Sequence, residues 1–79
     1  MERQAVESTT MRSVGYDQTE QILELEFQSG AVYHYLEVPL IIYRELLEAE
    51  SKGRYFNSKI RDTYEFVRAD RRERGATGH

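Results

Sequence analysis

The chain has 79 residues, which fits one small domain, and its net charge is −3. It contains no cysteine, which excludes disulfide bonds, thiol catalysis and cysteine-ligated zinc. No apolar run approaches the roughly 18 residues that a membrane span requires, and the opening MERQAVESTT lacks the apolar core of a signal peptide. We therefore expect a cytoplasmic domain that makes no membrane contact.

The net charge conceals an asymmetry between two parts of the chain. Residues 1–50 carry 3 Arg against 10 Asp and Glu, whereas residues 51–79 carry 8 Lys and Arg against 4 Asp and Glu. Such a split is typical of a basic surface for an anionic partner. It is equally typical of two oppositely charged halves that attract each other, and the sequence leaves both interpretations open.

The N-terminal part of the chain predicts three β-strands. Residues 1–10 are polar, lack periodicity and are predicted to be flexible. Strands are predicted at Met11–Asp17 and at Ile22–Phe27, and from Leu23 onward the second strand alternates between apolar and acidic side chains. The triplet QSG follows, and then the β-rich run Ala31–Leu36, so these two runs predict a hairpin.

The length of the hairpin loop decides which way the tyrosines of its second strand point. A two-residue turn would place Tyr33 and Tyr35 on the same face as the acidic side chains of the preceding strand. A three-residue loop with Gly30 in the left-handed conformation would place them with the apolar side chains, because one residue of register exchanges the faces. We favour the three-residue loop, since it gathers the apolar residues together and leaves His34 on the polar face.

The strongest helix signal in the chain is the stretch VPLIIYRELLEAESKG. An apolar stripe runs along one side of this predicted helix. Pro39 suits the first helical turn, where its missing N–H group costs nothing, and Gly53 is predicted to end the helix. The following RYFNSKIR is predicted to form one or two further helical turns, with Phe56 and Ile60 on a common face.

A last strand is predicted within TYEFVR, residues 63–68, and residues 69–79 are predicted to be a flexible, arginine-rich tail. One domain of residues 11–68 then has the element order β-β-β-α-short α-β. The economical architecture is an α+β fold, a small antiparallel sheet with one main helix packed on one face. Four residues are predicted to lie at the centre of the core: Leu25, Phe27, Leu46 and Phe66.

Neither metal binding nor catalysis is indicated by the sequence. His34 and His79 are the only histidines, and no HxH motif, HExxH motif or acidic ligand cluster accompanies them. Glu24 and Glu26 lie two residues apart on one strand face, a spacing typical of the solvated side of a sheet. We therefore expect no metal, no cofactor and no enzymatic activity.

The segment SKGRYFNSKIR, residues 51–61, combines cations with aromatic residues in an otherwise acidic chain. Cations hold phosphates, and each base stacked on an aromatic ring contributes roughly 1–3 kcal/mol. Both features together are typical of modules that bind single-stranded RNA. The candidate nucleic-acid-binding residues are Lys52, Arg54, Lys59 and Arg61 for phosphates, Tyr55 and one of Tyr33 and Tyr35 for stacking, and Asn57 for hydrogen bonding.

The order of these features resembles the KTSC domain family. The likeness rests on SVGYD, LELEFQSGAVYHYLEVP and YRELLEAESKGRYFNSKIRDTYEF, and it covers residues 11–67. Within these stretches the Tyr33-His34-Tyr35 triplet, the Val38-Pro39 pair and the segment 51–57 carry it. The family occurs at the C-terminus of some lysyl-tRNA synthetases and alone in small bacterial proteins. The resemblance implies RNA binding from this context, and it offers no catalytic residues to carry over.

We therefore expect a small non-catalytic accessory module that contacts single-stranded RNA through a basic-aromatic surface. The alternative is a protein-interaction module, including a homodimer, with no nucleic-acid role. Such a module would meet its partner through the acidic face of the helix or through an open edge of the sheet. Exposure separates the two functions, because RNA binding requires a contiguous surface of cations and accessible rings.

Overall fold

A five-stranded antiparallel sheet forms one layer of the protein, and its strands follow each other in chain order. The computed structural model describes residues 3–69. The strands are β1 (Arg3–Ala5), β2 (Met11–Asp17), β3 (Ile22–Phe27), β4 (Val32–Tyr35) and β5 (Phe66–Arg68). Between β4 and β5 lie α1 (Leu40–Glu48) and α2 (Lys52–Tyr55), and α2 continues into a π-helical segment, Phe56–Ile60. The predicted α+β fold is confirmed.

The first strand was not predicted from the sequence. Arg3–Ala5 lies in the segment assigned to a flexible N-terminus, yet it pairs with β2 at the sheet edge. All three of its residues are exposed, so no alternation of apolar side chains signals the strand. At the other end, the backbone N–H group of Ala69 donates to the carbonyl of Val32 at 2.7 Å. The rest of the predicted tail, residues 70–79, lies outside the described residues.

A three-residue loop joins β3 and β4, and the favoured register is confirmed. The Phe27 N–H group donates to the Ala31 carbonyl at 2.9 Å, which closes the loop around Gly30. The φ angle of Gly30 is 96°, in the region that favours glycine because a Cβ atom would be strained there. Tyr33 and Tyr35 consequently lie opposite the leucines of β3, on the face that packs against the helices.

The core fills the space between that face of the sheet and the helices. Its buried side chains are Met11, Val14, Leu23, Leu25, Tyr35, Val38, Leu46, Phe56 and Ile60. Leu25 and Leu46 are central, as predicted, and Phe27 is half-buried at the margin of this cluster. The prediction for Phe66 was wrong, because its side chain is 50% exposed. The reason is its place on β5, which is the edge strand of the sheet formed by residues 3–69 and pairs there with β4 alone.

Helix α1 is fixed to the sheet at its N-terminal end by a pair of tyrosines. Pro39, the predicted first residue of the helix, is extended and precedes Leu40, so the helix begins one position after the predicted start. The rings of Tyr16 and Tyr43 stack with their centroids 5.1 Å apart, and the Tyr16 hydroxyl donates to the Val38 carbonyl. Leu46, further along the helix, is its fully buried residue. The helix therefore packs through the apolar stripe that the sequence predicts.

Substitution of Leu46 tests this packing. Leu46→Ala is expected to lower the free energy of unfolding by about 2–5 kcal/mol, because it removes buried methyl groups and leaves a cavity. Urea unfolding followed by circular dichroism measures the change. The matched control is Ile41→Ala on the same helix, whose side chain is 56% exposed, and its effect should stay within about 0.5 kcal/mol. Equal effects of the two substitutions would contradict the packing.

Candidate nucleic-acid interface

The second helix presents basic side chains to solvent because its apolar residues face inward. Phe56 and Ile60 lie four positions apart, share one side of the helix and are buried. Arg54, Asn57 and Arg61 follow at intervals of three and four residues and are exposed, and the Arg61 Nη1 atom donates to Asn57 Oδ1 at 3.5 Å. We call these three residues the arginine stripe. The sequence predicted all three as site residues, and helical geometry brings them together.

Lys59 is also exposed, but it does not belong to the arginine stripe. It lies two residues before Arg61, and residues two apart point to different sides of a helix. Its ammonium group is therefore offered to solvent at the flank of the helix. An extended anionic partner that follows the arginine stripe would reach Lys59 only by bending around the helix.

Lys52 and Tyr55 each make a hydrogen bond, Lys52 to the residue that follows α1 and Tyr55 to α1 itself, and their roles at a nucleic-acid interface stay predictions. The Lys52 ammonium group donates to the Ala49 carbonyl at 3.2 Å. The Tyr55 hydroxyl donates to Glu45 Oε1 at 2.6 Å. Burial, followed by this hydrogen bond, raises the pKa of Tyr55 to about 12. The Tyr55 hydroxyl therefore links the two helices, whereas the Lys52 ammonium group makes one local hydrogen bond and keeps two of its three N–H donors.

The prediction that Gly53 ends the first helix was wrong. Helix α1 ends at Glu48, and Gly53 lies in the first turn of α2, whose N-terminus is capped by the Ser51 hydroxyl. A Cβ atom at Gly53 would collide with the Thr10 hydroxyl and lie 3.1 Å from the Thr10 Cβ atom. Glycine is thus required because α2 passes closely over the start of β2.

The two tyrosines of β4 differ in exposure, which decides between them as stacking residues. Tyr35 is 2% exposed, so its predicted role as a stacking platform at the surface is excluded. Tyr33 is half-buried, and its ring stacks on Phe66 with the centroids 5.1 Å apart and the planes 6° from parallel. The guanidinium group of Arg68 lies 5.7 Å from the Tyr33 ring centroid. Tyr33 and Phe66 thus form a paired platform.

This platform borders a pocket of about 470 Å³, which we call the aromatic pocket. It is lined by Phe27, Tyr33, Tyr35, Phe56 and Phe66, and by Ser29, Ala31, Arg61 and Asp62. Arg61 also belongs to the arginine stripe, so the cations and the rings meet at this residue.

The sequence did not predict Phe66 and Asp62 as site residues. Alternation within TYEFVR identifies the face of Phe66 but not its place at the sheet edge.

The Tyr35 hydroxyl is a buried polar group beside this pocket. It makes no hydrogen bond with any residue from 3 to 69. Burial is the largest cause that raises the pKa of Tyr35 to about 12; nearby Arg61 lowers it and Asp62 raises it. A cation, a carboxylate and a buried hydroxyl therefore influence one another at the same pocket.

The opposite face of the sheet carries a separate network of charged side chains. His34 Nε2 lies 3.1 Å from a carboxylate oxygen of Glu24, and Arg3 lies 3.7 Å from both Glu24 and Glu26. A further contact of 3.7 Å joins Arg12 to Glu26. These contacts confirm that His34 lies on the polar face and show that both glutamates are paired. The network therefore satisfies its own charges.

Residues 3–69 contain no group of three or more His, Asp or Glu side chains that could hold a metal ion. Among the helices of the same residues, none is long and apolar enough to cross a membrane.

Comparison with known proteins identifies the family. Residues 7–64 match the KTSC domain, so the chain belongs to the KTSC domain family. The crystal structure of a KTSC domain protein from Yersinia pestis has a TM-score of 0.84 to this fold at 34% sequence identity, over 86% of this chain and 96% of that one. The resemblance predicted from the sequence is confirmed.

Two curated relatives show the contexts of this domain. An uncharacterised protein of Stutzerimonas stutzeri is 48% identical over 71 residues, which are 89% of this chain and the whole of that protein. The lysine–tRNA ligase of a Nostoc species is 40% identical over 60 residues, which are 76% of this chain. The matched segment makes up 11% of the ligase. The domain therefore occurs both as a small protein and as part of a much longer enzyme.

Substitution of Gly53 tests the close approach of α2 to β2. We expect Gly53→Ala to lower the free energy of unfolding by about 1–2 kcal/mol, because overpacking costs roughly 1–3 kcal/mol and helix propensity returns up to about 1 kcal/mol. Thermal unfolding measures the change. Against a Thr10→Ala background, which lacks the colliding hydroxyl, the same substitution should be neutral or stabilising. Destabilisation of equal size in both backgrounds would rule out Thr10 as the cause.

The raised pKa values of Tyr35 and Tyr55 predict how stability depends on alkaline pH. Both groups keep their protons in the folded state up to about pH 12, whereas tyrosines ordinarily lose them near pH 10. The unfolded chain therefore binds fewer protons between these pH values, and stability should be constant below pH 10 and fall above it.

Urea unfolding at pH 7, 10 and 11.5 measures this dependence. Tyr35→Phe should flatten the fall above pH 10. At pH 7 the urea midpoint of this variant should equal or exceed that of the wild type, because the Tyr35 hydroxyl that it removes has no hydrogen-bond partner among residues 3–69. A Tyr35→Phe variant with the wild-type slope would contradict the assignment.

Proposed function

We propose that this domain is a small non-catalytic module that binds single-stranded RNA. The observation that carries the proposal is the position of Arg61, which belongs to the arginine stripe and also lines the aromatic pocket. Cations that hold phosphates thus lie beside rings on which an unpaired base can stack. This combination is the usual means by which proteins bind single strands.

The structure changes which residues we assign to the interface. Arg54 and Arg61 would contact phosphates, with Asn57 as a hydrogen-bonding neighbour and Lys59 reached at the flank. Phe66 replaces Tyr55 as a stacking residue, because half of its side chain is exposed whereas the Tyr55 hydroxyl is bound to α1. The ring of Tyr33 lies parallel to the ring of Phe66 and stacks against it.

The relatives and the local charge both support this function. A ligase named for its action on tRNA contains a segment that is 40% identical to this domain. The net charge of −3 opposes RNA binding, but charges beyond about 8 Å are largely screened at physiological salt. The cations of the arginine stripe therefore matter more than Glu24 and Glu26, which are paired with arginines on the other face of the sheet. Asp62, beside Arg61, opposes phosphate binding locally.

A titration of fluorescein-labelled octauridine tests the proposal. Fluorescence anisotropy at several salt concentrations should give an affinity that falls with salt, with a log–log slope of about −0.7 for each phosphate neutralised. Arg54→Gln should weaken binding and flatten the slope by about one such increment. Arg44→Gln, an exposed arginine of α1 with the same change of charge, is the matched control and should leave the slope unchanged.

Phe66→Ala separates stacking from phosphate contact in the same titration. It should weaken binding by roughly 1–3 kcal/mol while the salt slope stays at the wild-type value, because stacking releases no counterions. Circular dichroism checks that the variant is folded. If the folded wild-type domain shows no binding even at low salt, RNA binding is excluded.

A protein-interaction module, including a homodimer, is the second candidate function, and the edge strand β5 favours it. Phe66 and Val67 are 50% and 52% exposed there, and exposed apolar residues on an edge strand are a template for pairing with another chain. Sedimentation equilibrium at rising protein concentration tests for a dimer. A monomer that binds octauridine would favour the first function, whereas a dimer that ignores RNA would favour the second.

A further inference from the structure

The aromatic pocket has apolar walls and one polar side. Five aromatic rings form the walls, whereas Arg61, Asp62 and the Tyr35 hydroxyl supply polar groups. The guanidinium group of Arg61 can only donate hydrogen bonds, the carboxylate of Asp62 can only accept them, and the hydroxyl can do both. A flat occupant with apolar faces and with donors and acceptors along its edge matches this lining.

The Tyr35 hydroxyl is a second reason, independent of the charges, to expect an occupant. It belongs to a side chain that is 2% exposed, and it has no hydrogen-bond partner among residues 3–69. Buried polar groups in native proteins are nearly always paired, so an unpaired one beside a pocket calls for an explanation. A ligand edge that reaches this hydroxyl would supply the missing bond.

We propose, on the basis of the RNA-binding function above, that the aromatic pocket accepts one base of the bound strand and prefers guanine. The rings would stack on the faces of the base, as in other proteins that hold splayed-out bases. Asp62 accepts from the base, Arg61 donates to it, and the Tyr35 hydroxyl completes the contacts. The volume of about 470 Å³ lies within the roughly 300–1,000 Å³ of small-ligand sites.

The preference for guanine follows from the chemistry of a carboxylate. Guanine carries two adjacent N–H donors, at N1 and N2, that can bond both oxygens of one carboxylate, and it carries acceptors at O6 and N7 for an arginine. Uracil offers one N–H donor. Adenine offers a single amino group between two ring acceptors, and cytosine offers a single amino group beside one ring acceptor, so neither base offers two adjacent N–H donors to both carboxylate oxygens. Guanine is thus the base whose edge matches Asp62 and Arg61 together.

A set of four labelled octamers tests the preference. Each is octauridine with the fifth base as U, A, C or G, so that charge and length stay the same. Anisotropy titrations should show the G-containing octamer binding about tenfold tighter than the others, in the lower part of the range that one good bidentate base contact supplies. This single substitution also avoids the structures that G-rich strands form.

Two variants locate the preference in the pocket. Asp62→Asn should reduce the difference between the G and U octamers to less than about twofold while octauridine binding persists, because an amide offers one acceptor instead of two. Glu48→Gln, an exposed glutamate of α1 with the same change of charge, should keep the preference. Tyr35→Phe removes a hydroxyl without a protein partner among residues 3–69, so it should fold and bind the G octamer more weakly.

The outcomes separate this inference from the proposed function. Equal affinity for the four octamers would overturn the guanine preference and leave RNA binding intact. A guanine preference that survives Asp62→Asn would place the base elsewhere and would also overturn the inference. Absence of binding to all four octamers by the folded wild-type domain would overturn the RNA-binding function itself.

Discussion

The register of the β3–β4 hairpin is the constraint on which the rest of the structure depends. Gly30 adopts a left-handed conformation in the three-residue loop, and this turn places Tyr33 and Tyr35 on the helix-facing side of the sheet. A shift of one residue would exchange the faces and expose both rings to solvent. The same register places His34 beside Glu24 on the outer face. One loop thus sorts the apolar residues from the charged ones across most of the domain.

The second constraint is the way in which α2 lies on the sheet. Phe56 and Ile60 enter the core, and Gly53 lets the helix pass close to Thr10. These two contacts fix the rotation of the helix about its axis. Its exposed residues therefore point in set directions, and Arg61 lies at the rim of the aromatic pocket. A basic segment that would be a solvated helix face by itself becomes the border of a concave surface.

The two faces of the sheet differ in chemistry. On the outer face Arg3 and Arg12 form ion pairs with Glu24 and Glu26, and His34 shares a hydrogen bond with Glu24. On the helix side, cations and half-exposed rings lie together near β5. An acidic protein can therefore present local cations to an anion, because Glu24 and Glu26 are paired with arginines on the outer face. Asp62 is an acidic residue that lies beside Arg61 at the aromatic pocket.

The sequence by itself predicted the strands β2 and β3 and the main helix from their periodicity, and it favoured the three-residue hairpin loop because of Gly30. It also named Arg54, Asn57 and Arg61 as site residues, but not the stripe that they form. It did not reveal β1, whose exposed residues carry no alternation, or the exposure of Phe66. Nor did it show that Tyr55 is bound to Glu45. These features depend on which strand forms the sheet edge and on where two helices meet. They arise from contacts between residues far apart in the chain, which no local pattern encodes, so only the tertiary structure decided them.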